Sequence, residues 1–117
     1  MPNADGSVDL KEEKKGNVMV LKIKGRLDAI TSPRTEKRIF ECINSGQHQI
    51  LLNFSEVDYL SSAGMRMLLA TTKKLKTLTG KLVLCSVNVN VMDVLRMSGF
   101  DHVLEITEDQ DLALKKF

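Results

Sequence analysis

Ile50-Leu51-Leu52-Asn53-Phe54-Ser55-Glu56-Val57-Asp58-Tyr59-Leu60-Ser61-Ser62-Ala63-Gly64-Met65 passes from a nearly continuous apolar run into a helical pattern, a strand-to-helix step around which the rest of the chain arranges. The run Ile50 to Phe54 is apolar on both faces, as in a strand at the centre of a covered sheet. After the Ser61-Ser62-Ala63-Gly64 step, Met65, Leu68, Leu69, Thr72 and Leu75 recur at three-and-four spacing, which predicts a helix. Lys73, Lys74 and Lys76 gather near its C-terminal end, where cations complement the helix dipole, and Gly80 is expected to close it. Leu82-Val83-Leu84-Cys85 is a second run of the same kind. Two buried strands joined by one helix form a parallel pair with a right-handed crossover.

The pattern continues in both directions. Upstream, Val8 and Leu10 alternate with polar neighbours, Lys14-Lys15-Gly16-Asn17 is a turn signal, and Met19, Leu21 and Ile23 share one face, together an N-terminal β-hairpin. Gly25 is expected to end the second strand, leaving Arg26 to Ile30 as a loop, and Thr31-Ser32-Pro33 reads as a hydroxyl cap with proline in the first helical turn. Ile39, Cys42 and Ile43 then share a helix face, stopped by Asn44-Ser45-Gly46. Downstream, a helix over Val89 to Ser98 turns Val91, Val94 and Leu95 inward and ends at Gly99. Val103 to Ile106 reads as a short last strand, and Thr107-Glu108-Asp109-Gln110 as a capping box opening a final helix. The expected fold class is α/β: a mixed, mostly parallel β-sheet with an N-terminal β-hairpin and about four α-helices, in the order ββαβαβαβα. One domain over 1–117 is expected, with 1–7 a flexible N-terminus.

Composition narrows the function. The 117 residues carry 17 Lys+Arg against 15 Asp+Glu, a formal net charge of +2 with the two signs interleaved, so direct nucleic-acid binding is not expected. No apolar run approaches the ~20 residues of a membrane-spanning helix, and the N-terminus has no secretion-signal pattern, so no membrane insertion is expected. Cys42 and Cys85 sit in apolar patterns, and neither they nor His48 and His102 have metal-ligand spacing. Reduced, buried thiols in a cytoplasmic protein, with no metal and no cofactor, are the expectation. His48 and His102 read as ordinary strand-end histidines, and Met65 and Met97 as filler on or beside apolar stripes.

In an open α/β sheet the functional end lies where strands run out and helices begin. Asp28, Asp58, Ser61 and Ser62 collect there. One serine suffices to cap a helix. A second hydroxyl at a helix N-terminus is a favourable place for a phosphate, because free N–H groups and the dipole stabilise its charge. Catalysis by the pair is disfavoured. A nucleophile elbow needs glycine two residues before and after the serine, and Leu60 precedes Ser62 by two. No phosphate-cradling glycine loop occurs, and neither aspartate sits in the acidic pair of a phosphate-accepting receiver.

Asn53 to Met65 resembles the signature of the anti-sigma factor antagonists, the bacterial STAS domains, which runs Asp/Asn-hydrophobic-Ser, Val, then hydrophobic-Asp-Ser-Ser/Thr/Ala-Gly-Leu. Gly25-Arg26-Leu27-Asp28 is similar to the family's Gly-x-Leu/Ile-Asp loop, and Met97-Ser98-Gly99-Phe100 to its Met-Ser-Gly-Leu/Phe helix ending. The resemblance implies a STAS-like domain and a binding switch without enzymatic activity. Such a protein sequesters an anti-sigma factor that is also a serine kinase of the histidine-kinase-like ATPase fold. A sigma factor is thereby released, and transcription is regulated by partner switching. Serine phosphorylation ends the complex, and a metal-dependent serine/threonine phosphatase resets it. Aligned on Gly64, the phosphorylated position falls on Ser62. The family often has aspartate before that serine, and here the place is taken by Ser61, a rival site. The expected partner surface comprises Asp28, Asp58, Ser61, Ser62, Ala63, Gly64 and Met65. The alternative occupation of the fold is an accessory subunit of a lipid or anion transport system.

Overall fold

The computed structural model describes residues 8–117; the segment 1–7, expected to be a flexible N-terminus, lies outside the described residues. Strand β1 (Asp9–Lys15) and strand β2 (Val18–Leu27) form the expected hairpin, joined through Gly16-Asn17. Helix α1 (Thr31–Asn44), strand β3 (Gln49–Leu60), helix α2 (Ser62–Thr77), strand β4 (Lys81–Cys85), helix α3 (Val89–Met97), strand β5 (Glu105–Thr107) and helix α4 (Gln110–Leu114) follow. A single 3-10 turn, Phe100–His102, precedes β5. The sheet order is β1-β2-β3-β4-β5, with β1 antiparallel and the remaining pairs parallel, so the expected mixed α/β architecture is observed. The Cα radius of gyration is 13.0 Å.

Strictly sequential order has a consequence for the layers. Right-handed crossovers between successive neighbours put their helices on one face. Ile39 and Ile43 of α1, Leu68 and Leu75 of α2, and Val91 and Leu95 of α3 accordingly share one core with Leu21, Ile50, Leu52 and Phe54. The opposite sheet face, with Val18, Val20, Leu51, Val83 and Cys85, is covered by Ala113 of α4 and the residues after it. This explains why β3 and β4 are apolar on both faces. Full burial of side chains such as Phe54 and Leu52 contributes roughly 1.5–3 kcal/mol each. The free thiols of Cys42 and Cys85 are both buried, which raises their pKa. Edge strand β1 is almost wholly exposed and charged, which discourages a further chain from pairing there.

Several boundaries differ from expectation. Strand β2 does not end at Gly25 but runs on to Leu27, and β3 does not end at Phe54 but continues to Leu60. Two register shifts between these strands each place an extra residue on β3, one between Lys22 and Lys24 and one between Gly25 and Arg26. Gly25 has φ +121°, a conformation open to glycine at little cost. The bulges re-phase the side chains, so Phe54, Val57 and Leu60 all point inward at intervals of three. Asp58 therefore sits in a strand and not in a loop. Strand β5 begins at Glu105, because Phe100–His102 forms the 3-10 turn, and this leaves Val103 half exposed and His102 in the turn instead of at a strand end. The cap of α4 is Asp109, whose side chain accepts Leu112 N–H at 2.9 Å, and not Thr107, which closes β5. Met97 is 88% exposed and fills no core, and Val94 is only half buried.

Helix α2 ends in a two-bond wrap: Thr79 N–H donates to Lys76 O at 3.2 Å and Gly80 N–H to Leu75 O at 2.7 Å. The left-handed residue is Thr79, at φ +58°, and not the glycine expected to close the helix. A non-glycine residue there costs about 1 kcal/mol. Thr79→Gly is expected to raise stability by about 0.5–1 kcal/mol, read as a higher denaturation midpoint at unchanged denaturant slope.

Candidate functional site

The C-terminal ends of β2 and β3 lie side by side, with Leu27 paired to Leu60, so α1 and α2 both start from the same place. Each start is organised by a different polar side chain. Expectation gave α1 a hydroxyl cap from Thr31-Ser32; instead Ile30 occupies the N-cap position with no side-chain cap. The work falls to Asp28, whose Oδ1 accepts the N–H groups of Ile30 and Thr31, each at 2.9 Å. In return Thr31 Oγ1 accepts Asp28 N–H at 3.0 Å and donates to Arg26 O. Thr31 itself is buried. The Thr31 and Ile30 N–H groups hold the Asp28 carboxyl below its ordinary value of 3.8. A depressed folded-state pKa adds stability above the unfolded value and loses it as pH falls through the folded one. Asp28→Ala is therefore expected to lower the melting temperature at neutral pH, with the difference from wild type vanishing in acid, measured by thermal denaturation across a pH series.

At the start of α2 the two serines divide the tasks. Ser61 is the N-cap: its Oγ accepts Gly64 N–H at 3.3 Å and donates to Leu27 O at 3.0 Å, while Ser61 N–H donates to the same carbonyl at 2.9 Å. Ser62 is the first helical residue, exposed, and its hydroxyl has no hydrogen-bond partner among the described residues. The N–H groups of Ser62 and Ala63 belong to the first turn, which has no intrahelical acceptors. Gly64 allows the close approach. A Cβ there would lie 2.5 Å from Leu60 Cδ1 and 3.1 Å from both Leu27 Cβ and Leu27 O. A larger residue would require the Leu60 side chain to turn aside and would crowd the Leu27 carbonyl that holds Ser61.

The structure thus brings Asp28, Ser61, Ser62, Ala63 and Gly64 together around Leu27. Met65 is half buried, and its Sδ lies 3.2 Å from the Ser98 hydroxyl, which links the serine segment to the end of α3. Asp58 stands apart. It is exposed and borders a recess with Asn90 and Val94 on the α3 side. Other groups join the site only through the fold. Arg26 lies 4.2 Å above the Tyr59 ring, with its Nε 4.0 Å from Asp28 Oδ2, an arrangement made possible by their cross-strand pairing. Ile30, 68% exposed, presents an apolar side chain beside Asp28. Asn88 caps α3 through Val91 N–H at 2.8 Å and ties it to β3 through Val57 O, also at 2.8 Å. Only the cap had a readable signal, an asparagine ahead of an apolar-periodic run.

A family model for the STAS domain matches residues 9–113. The chain belongs to the STAS domain family. Among relatives, it is 26% identical over 105 residues to BtrV of Bordetella bronchiseptica, named as an anti-sigma factor antagonist, covering 90% of each chain. It is likewise 26% identical to the anti-sigma F factor antagonist of Paenibacillus polymyxa, over 92% of this chain and 93% of the relative. The crystal structure of an anti-sigma factor antagonist from Mycobacterium paratuberculosis superimposes with a TM-score of 0.87 at 25% identity, covering 97% of this chain and 96% of the other.

In this STAS domain the sequential sheet lacks the order reversal that opens a ligand crevice in doubly wound folds. The helix starts form an exposed surface instead. Among the described residues no group of three His, Cys, Asp or Glu is placed to hold a metal ion, and no helix is long and apolar enough to cross a membrane.

Proposed function

We propose that this STAS domain is an anti-sigma factor antagonist switched by phosphorylation of Ser62. Unmodified, it binds an anti-sigma factor with serine kinase activity and a histidine-kinase-like ATPase fold, freeing a sigma factor for transcription. The kinase transfers the γ-phosphoryl group of ATP to Ser62 Oγ, and the complex separates. A metal-dependent serine/threonine phosphatase restores the binding form. All of this is cytoplasmic chemistry performed on the domain by its partners.

The observation that carries the reading is the division between the serines. Ser61 is committed to Leu27 O and Gly64 N–H, whereas Ser62 is exposed and uncommitted. Phosphate on Ser62 adds about −1.5 to −2 charge at the positive end of a 16-residue helix, so the domain tolerates it. The same charge and bulk in the centre of a closely packed interface are costly, and each ~1.4 kcal/mol lost is tenfold in affinity. The repulsion falls on the partner, since Asp28 is already engaged by backbone N–H groups and Arg26. Of the expected partner surface, Asp28, Ser62, Ala63 and Met65 form the proposed contact, joined by Ile30 as an exposed apolar anchor.

A pull-down from the source cell with wild type, Ser62→Ala and Ser62→Asp tests the proposal. Wild type and Ser62→Ala are expected to retain an ATPase-fold anti-sigma partner, and Ser62→Asp to lose it. Retention by Ser62→Asp at the wild-type level, or capture of a transporter ATPase in its place, contradicts it.

A further inference from the structure

Arg66 follows Ser62 by four residues on α2, the spacing at which side chains meet on a helix surface. Helical side chains lean toward the N-terminus, so Arg66 leans over the turn that carries Ser62. Both residues are exposed. Arg26, Arg38 and Arg96 each face a carboxylate, whereas Arg34 and Arg66 enter no ion pair, hydrogen bond or ring contact among the described residues, and of these two only Arg66 lies on the helix that carries Ser62. Arg66 and Ala63 also border a groove of about 370 Å³ between α1 and α2, whose other wall includes Ser32 and Glu36. Ser32 is 2% exposed, and its Oγ has no hydrogen-bond partner. An orphaned buried hydroxyl is a donor waiting for an acceptor. A cation without a counter-ion and a hydroxyl without an acceptor therefore line the same groove, beside a residue that receives phosphate in the reading above.

We propose that Arg66 is the built-in counter-ion of a phosphoryl group on Ser62, with the Ser32 hydroxyl as a second donor. The inference rests on the assignment of Ser62 and adds its consequence within the domain. The planar guanidinium matches two phosphate oxygens at once, which a lysine ammonium does not. Glu36 on α1 is the acidic group of the groove and makes no ion pair with Arg66; Asp28 is held by its own loop, and Asp58 faces the α3 side. Phosphorylation then changes two exposed groups together: Ser62 gains bulk and charge, and Arg66 is withdrawn onto it.

The full chain carrying phosphoserine incorporated at position 62 during synthesis isolates this step from any kinase. The probe is the phosphate itself, titrated by phosphorus NMR. In wild type its second pKa is expected below the usual value of about 6, and Arg66→Gln is expected to raise it by about half a unit. Arg66→Lys should fall between the two, and Ser32→Ala should raise the value by less than Arg66→Gln. Failure of the Ser62 assignment appears separately, as kinase labelling at another residue. Superimposed titration curves for wild type and Arg66→Gln would overturn the proposal, and an unmoved Ser32→Ala curve would remove Ser32 from the site.

Discussion

Incubated with the proposed anti-sigma kinase and ATP, Ser62→Ala is expected to take up no phosphate, while Ser61→Ala is labelled as wild type is. Ser61 is the worse acceptor for structural reasons. Its Oγ donates its only proton to Leu27 O and accepts Gly64 N–H, so transfer to it would break the contacts that seat α2 on the end of β2. Ser62 Oγ has no such commitments, and its phosphate would gain the free N–H groups of the first turn. Ser61→Ala should instead show its effect as a loss of stability of about 1 kcal/mol, the usual worth of a helix cap. Intact-mass spectrometry reads the phosphate and denaturation reads the cap. Labelling of Ser62→Ala at the wild-type rate would move the acceptor to Ser61.

Gly80→Ala is expected to be more damaging than Gly64→Ala. A Cβ at position 80 would lie 2.3 Å from His48 O and 3.0 Å from Leu75 Cδ2. The first of these is backbone and cannot rotate away. It is also the acceptor of Lys81 N–H at 2.9 Å, the bond that starts β4 beside β3. Relief therefore requires the turn after α2 to move, with loss of the Gly80 N–H bond to Leu75 O. Overpacking of this kind costs about 1–3 kcal/mol, and the upper part of that range applies where backbone is struck. The melting temperature should fall by about 10 °C. A fall under a third of that would mean the turn adapts more easily than its geometry implies. At Gly64 the closest atom is the end of the flexible Leu60 side chain, so the cost there is smaller and is felt at the serine site.

The order of elements and the parallel sheet were legible because hydrophobic period identifies strands and helices reliably where bonding is regular. Where regularity breaks, the reading stopped. Phe54, Val57 and Leu60 are all buried, yet a spacing of three matches neither a strand nor a helix, so the second half of β3 passed for a loop. The cause is tertiary: the bulges arise from pairing with β2, and nothing within β3 alone announces them. The same applies to Leu27, whose burial depends on its pairing with Leu60. At the C-terminus, the short 3-10 turn displaced β5, and the similar capping chemistry of Thr107 and Asp109 left the cap open to misreading by two residues.

At the site, residue types were readable and roles were not. Two adjacent serines ahead of a helical stripe indicate one cap and one free hydroxyl, but which is which depends on the Leu27 carbonyl, 34 residues upstream of Ser61. Asp28 reads in the sequence as a surface group and in the fold organises α1, because its loop folds back on itself through Thr31. Asp58 was grouped with the others by sequence proximity, and the extended strand turns it toward α3. Arg26 and Tyr59 lie within the resembling segments and Arg66 just beyond them, but none of the three has a role legible in the sequence. Their places follow from strand register and helix spacing, which exist only once the chain is folded.

In the proposed switch, phosphate on Ser62 alone decides whether the partner is held. Isothermal titration of the purified anti-sigma partner with unmodified chain, and with chain phosphorylated only at Ser62, measures it directly. The affinity is expected to be at least tenfold weaker for the phosphorylated chain, a loss of about 1.4 kcal/mol or more, with no change in its fold by circular dichroism. Equal affinities for the two forms would contradict it.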